Sequence, residues 1–145
     1  MRHHLFGLIF ALGFVFASPV SAQVLITHSK ALAGNVTPGD AAGFPVTLSI
    51  AGSYKLASNL LPGAGLDGIV AAAEDISIDL NGFRIAGGPA GGTNNARFGI
   101  WGQGDRLTVK NGTIGAFAGV AIHAPDRLYL TIEHIRIINL SLIHI

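Results

Sequence analysis

Apolar and polar residues alternate along Ile76–Leu80, break at Asn81-Gly82, and alternate again to Ile85. The phrase returns as Leu107–Ile114, with its own Asn111-Gly112, and a third time as Leu130–Ile137. A period of two marks strands with one face on a core, and Asn-Gly is a turn pair because both residues tolerate positive φ. Two more alternating runs, joined at Ala51-Gly52-Ser53, fill Phe44–Leu60 and predict a pair of strands. Before them, Ala31–Ala33 predicts one helical turn stopped by Gly34.

The three phrases belong to a longer repeat. Gly68-Ile69, Gly99-Ile100 and Gly119-Val120 each open an apolar stretch, and Asp75, Asp105 and Asp126 mark the turn that follows. Ile78, Val109 and Ile132 then precede the second turn. The first step is lengthened by Gly87–Ala96; without it a unit is about 22 residues, within the range of solenoid repeats. Three short strands per unit, with no helix between them, predict an all-β fold: a parallel β-helix of about three to four coils. The usual handedness of parallel crossovers makes it right-handed. Ile76, Ile78, Leu80, Leu107, Val109, Leu128, Leu130 and Ile132 are the expected inward columns. One unit cannot bury its apolar face alone, but stacked units can.

The N-terminus has a separate task. Arg2 and two histidines precede the apolar run Leu5–Ala17, and Ser18-Pro19-Val20-Ser21-Ala22 supplies a breaker and small residues. This is the order of a secretory signal peptide, with cleavage expected after Ala22; the run is too short to span a bilayer comfortably. The expected organisation is a signal peptide at 1–22, a capping segment with the first strands at 23–60, and β-helix coils at 61–145. The expected location is extracytoplasmic, in periplasm, at the cell surface or outside the cell.

Charge and composition then narrow the functions. Removing Arg2 from nine basic residues leaves eight, against eight acidic ones, so the mature chain is formally neutral and has no basic stripe for nucleic acid. No second apolar run reaches transmembrane length, so no membrane association is expected after cleavage. Cysteine is absent, and packing must replace disulfides.

FPVTLSIAGSYKLASNL, with DISIDLNGFRIAG and LTVKNGTI, resembles the start of secreted bacterial right-handed β-helix repeat proteins of the pectin-lyase-like superfamily. The likeness runs over Val24–Ile137 and specifies fold more than activity. It implies a polysaccharide partner, bound or acted upon, through polysaccharide lyase or glycoside hydrolase chemistry if the protein is an enzyme. The alternative is a non-enzymatic structural or adhesin-type exoprotein. The family's carboxylate clusters are absent, so no catalytic residue is assigned, and no metal or cofactor is expected. The repeat halts partway into a coil at Ile138–Ile145, which predicts the front of a longer protein; the closing LSLIHI resembles a translated adapter tail.

Chemistry is left to the outward positions. Asp79, Lys110 and Glu133 are expected to form one outward row beside Ser77, Thr108 and Thr131, and Trp101 to point outward next to Ile100. An acid–base–acid row can hold a sugar or a calcium ion, paired carboxylates are what glycoside cleavage uses, and tryptophan stacks on sugar rings. The competing reading is a solvated ladder whose alternating charges set register. Matching Asp105-Arg-Leu to Asp126-Arg-Leu would instead put Lys110 beside Thr131. GAGLDG at Gly63–Gly68 fits a dinucleotide fingerprint, but strand-like residues follow too soon for its helix, so a coil corner is expected. His28, His123, His134 and His144 show no ligand spacing.

Overall fold

A computed structural model describes residues 22–63, 65–88, 98–138 and 140. Most of the segment read as a signal peptide lies outside them, as do most of Gly87–Ala96 and all of the closing tail except Leu140. Among the described residues there are ten strands: β1 (Val24–Ile26), β2 (Val46–Leu48), β3 (Gly52–Leu56), β4 (Ile69–Ala71) and β5 (Ile76–Asp79), then β6 (Arg84–Ala86), β7 (Phe98–Gly102), β8 (Thr108–Gly115), β9 (Val120–His123) and β10 (Thr131–Ile138). Helix α1 (His28–Ala33) follows β1, with the Thr27 hydroxyl accepting from Lys30 N at 3.1 Å and Gly34 (φ 77°) ending it. No helix among the described residues is long and apolar enough to cross a membrane.

Every pairing is parallel and joins a strand to one roughly a repeat away in sequence. One sheet runs β1-β3-β5-β8-β10, with β6 also on β8; the other runs β2-β4-β7-β9. Ile78, Val109 and Ile132 are direct partners, as predicted, at steps of 31 and 23 residues. The long-range, all-parallel stacking is solenoid-like. The stack is deeper than three to four levels on one sheet, because β1 and β3 add two below the repeated phrases.

Two sheets form, whereas three short strands per unit would make three. The difference arises at the second turn. β5 and β6 are separate strands around Asn81 (φ 52°) and Gly82 (φ 80°), but β8 continues through Asn111 (φ 60°) and pairs β5 with its first half and β6 with its second. β10 continues likewise through His134 (φ 51°), which stands in the asparagine's column. Left-handed residues bend these strands, and pairing resumes just beyond the bend, as where Glu133–Lys110 is followed by Ile135–Gly112. A second such column, Asp75, Arg106 and Tyr129, marks the preceding turn.

Register upholds the expected alignment on the first sheet and corrects it on the second. Thr108–Lys110 pairs with Thr131–Glu133, so Lys110 stands beside Glu133 and not Thr131. In the other sheet Ile69, Ile100 and Ile122 are partners, and Val120 sits opposite Phe98, two residues from its expected place. Gly65–Gly68 leads directly into β4; Ile69–Ala71 is strand, with no room for a cofactor helix. Gly99 is required by close approach, since a Cβ there would overlap the Ile114 side chain and the Ala121 carbonyl.

The core is one cluster along the stack, including Ile26, Leu48, Leu56, Ile69, Ile76, Ile78, Leu80, Ile100, Leu107 and Val109. At ~1.5–3 kcal/mol per large apolar side chain buried, these columns carry the fold without disulfides. Three of the expected inward residues depart from this. Leu128, Leu130 and Ile132 are 62%, 40% and 46% exposed. Leu130 and Ile132 continue the columns of Leu107 and Val109 but, among the described residues, have a strand on one side only, whereas Leu128 falls opposite Asp105, to whose carboxylate its N–H donates, and so lies outside the core columns.

Candidate functional site

The expected outward row exists and is longer than the repeats suggested. Lys55, Asp79, Lys110 and Glu133 are successive register partners on β3, β5, β8 and β10. Their signs alternate, and at strand spacing neighbours are ~4.8 Å apart along the stack. Asp79 and Glu133 are two levels apart, ~9.6 Å by backbone, with Lys110 between them, so the row places no two carboxylates on adjacent levels.

Asp79 is also committed to the turn. Its Oδ1 accepts from Asn81 N at 2.8 Å and from Asn111 Nδ2 at 3.2 Å, tying its own coil to the next. Asn81 Nδ2 reaches the Leu56 carbonyl one level down at 3.2 Å. These side chains satisfy turn groups that the bend removes from the ladder. The same carboxylate is thus a hydrogen-bond anchor before it is anything else.

Trp101 is not part of this row. It lies on β7 in the other sheet, opposite Val70 on one side and His123 on the other. Phe98, Trp101 and His123 form a cluster: the Phe98 ring stacks on His123 with centroids 4.2 Å apart and planes 5° from parallel, and is tilted against Trp101 at 5.8 Å. All three are half-buried. Ile100, between Phe98 and Trp101, is fully buried, so Trp101 alternates outward as expected.

Phe98 and His123 were not singled out by their spacing to metal or catalytic partners. The signal that finds them is the coil period, since His123 follows Trp101 by 22 residues, one unit of the repeat. The other described histidines serve elsewhere: His28 Nδ1 accepts from Leu61 N at 3.3 Å, and His134 occupies a bend.

Charged groups otherwise meet at one corner. Arg106 donates to both oxygens of Asp75 and, at 2.8 Å, to Glu74 Oε2. The bidentate hydrogen bonding of Arg106 holds the Asp75 carboxyl below its ordinary range, and the two carboxylates raise the Arg106 guanidinium. Among the described residues, no group of three or more histidines and acids is placed to hold a metal ion. No protein-family model matches this chain, and neither curated proteins nor solved structures match it.

Proposed function

We propose that this chain is the coil-forming part of an exported right-handed parallel β-helix that binds extracellular polysaccharide on its outer surface. The fold half of the reading is supported by β8, which pairs with β5 and β6 on either side of a left-handed bend at Asn111. A bent strand shared by two flat strands is two faces of one coil, and β4, β7 and β9 supply the third. The binding half rests on one observation, the Phe98–Trp101–His123 cluster. Tryptophan braced by a ring on its own strand and presented from a rigid sheet can stack on a pyranose at low entropic cost.

The non-enzymatic structural alternative draws on a different observation. The Lys55–Asp79–Lys110–Glu133 row neutralises itself, and Asp79 is engaged in the turn. A face built this way sets register and needs no ligand.

The test is binding of purified Gln23–Ile145 to a panel of neutral and uronic polysaccharides, read by affinity electrophoresis and by tryptophan fluorescence. The chain holds a single tryptophan, so its emission reports one position. Retardation with an emission shift supports the proposal, and loss of retardation in Trp101→Ala assigns it to the cluster. No retardation across the panel favours the structural reading.

A further inference from the structure

We infer that the Phe98–Trp101–His123 cluster takes a neutral glycan and excludes polyuronates, an assignment that rests on the polysaccharide-binding reading above. The two sheets differ sharply in the chemistry of their side-chain rows. On the first sheet one outward row is charged at every level, through Lys55, Asp79, Lys110 and Glu133. On the second sheet the row that contains the cluster is Thr47, Val70, Trp101 and His123, in direct register on β2, β4, β7 and β9. Trp101 has a described strand on each side.

A carboxylate is recognised by arginine or lysine, which supply charge-assisted hydrogen bonds in exchange for its water. The described lysines and arginines lie on α1, on β3, β6, β8 and β10, or in the turns that follow β7 and β9. None lies on β2, β4, β7 or β9. In the turn after β7, Arg106 is already engaged by Asp75 and Glu74. The ionised group placed at the cluster is an acid instead: Asp67 Oδ1 accepts from Phe98 N at 2.9 Å.

The rings select in the same direction. An aromatic face carries negative potential, so it attracts the C–H face of a pyranose and opposes a carboxylate. A uronate would be desolvated against this surface with no cation from the sheet to receive it. The platform is also fixed in advance. The parallel Phe98–His123 stack, 4.2 Å between centroids, joins β7 to β9, and Phe98 meets Trp101 at an interplanar angle of 50°. An indole braced in this way loses little freedom when a neutral ring settles on it. Repulsion of the charged competitor and attraction of the neutral one together make the preference.

The experiment titrates purified Gln23–Ile145 by isothermal calorimetry with each neutral polymer of the panel above. Each is compared with the same polymer oxidised at its primary alcohols to the uronate, so that only the carboxylate differs. Work at pH 8 keeps imidazole charge out of the comparison. The oxidised arm also reads Arg97, which precedes Phe98 outside the described residues. At least one neutral polymer should bind at least ~10-fold more tightly than its oxidised form. Trp101→Ala should abolish that binding, and Trp101→Phe, which keeps an aromatic face, should retain part of it; circular dichroism checks that both variants keep the fold. An oxidised polymer bound as tightly as its neutral parent, and lost in Trp101→Ala, would overturn the inference and leave polysaccharide binding at the cluster standing. Neutral binding indifferent to Trp101→Ala would overturn the assignment to this cluster. No binding of any polymer would overturn the polysaccharide reading and this inference with it.

Discussion

The two ends of the stack are built from similar strands and have opposite fates. At the β1 end, Ile26 is wholly buried, because α1 packs Ala31 into the same core and the 34–48 segment folds over it. That segment is held by Asp40, itself 4% exposed, whose Oδ2 accepts from Val36 N at 3.0 Å and whose Oδ1 accepts from Thr47 N at 2.7 Å. At the β10 end, Ile132 repeats the pattern of Ile78 and Val109 in direct register, yet 46% of it is exposed where theirs is 0%. Burial in a solenoid is therefore conferred by neighbours on both sides, and alternation only states which face is ready for it.

The largest expected effect breaks this comparison directly. Ile78→Ala removes packing from a fully buried site and should cost about 3–4 kcal/mol. Ile132→Ala should cost about 1 kcal/mol or less, since half of the side chain already meets water. Denaturant midpoints of the two variants decide; equal costs would mean that the edge coil is as well packed as the middle.

The closed end should depend on Asp40 almost as strongly. Asp40→Ala leaves the amides of Val36 and Thr47 without their acceptor in a buried setting, at about 2–3 kcal/mol. Asp40→Asn keeps one acceptor oxygen and should cost about half as much. Amide exchange should accelerate first across residues 35–48 and leave β8 and β10 unchanged. Uniform acceleration would show that the clasp is not a separate unit.

How much of this was legible in the sequence follows the same division. Ile76–Leu80, Leu107–Val109 and Leu130–Ile132 announced their strands and their mutual register, because period-two alternation and an Asn-Gly turn are local signals. The solenoid stacking and the outward row of Asp79, Lys110 and Glu133 followed from aligning them. Asp126 misled the alignment, since its likeness to Asp105 is a matter of residue type while Tyr129 occupies the bend that Asp75 and Arg106 define. The Asp40 clasp was not legible, and of the aromatic cluster the coil period places only His123 beside Trp101, not the Phe98–His123 stack. Each joins residues whose contact is set by three-dimensional closure, and neither leaves a periodic trace within its own segment.

A glycine between levels sharpens the comparison further. A Cβ on Gly104 would overlap the carbonyl of Ala73 in the coil below, where the backbone cannot yield as a flexible side chain can. Gly104→Ala should cost about 1–3 kcal/mol by forcing two coils apart. Gly63 has only the Leu66 side chain nearby, at ordinary contact distance, so Gly63→Ala should be close to neutral. Thermal melts of the pair would show whether coil spacing or loop freedom limits stability.

The smallest expected effect concerns the tie between the middle coils. Arg106 on the β8 level bridges to Glu74 and Asp75 on the β5 level, while the corresponding place on the β10 level holds Tyr129. The Asp75 carboxyl is held below its unfolded value chiefly by the Arg106 hydrogen bonds, with Coulomb attraction adding and desolvation opposing. A depressed carboxyl contributes stability that is present above the unfolded pKa, ~4, and is lost as pH falls through the lower folded value. The pair is solvent-exposed, so its contribution is small and screened by salt. Arg106→Ala should therefore lower Tm by only ~1–2 °C near neutral pH and low ionic strength. That difference should narrow below pH 4 and shrink in 1 M salt. A deficit that stays constant from pH 7 to pH 2 would mean that Arg106 acts through its aliphatic stem or its left-handed backbone, and that no electrostatic tie joins these coils.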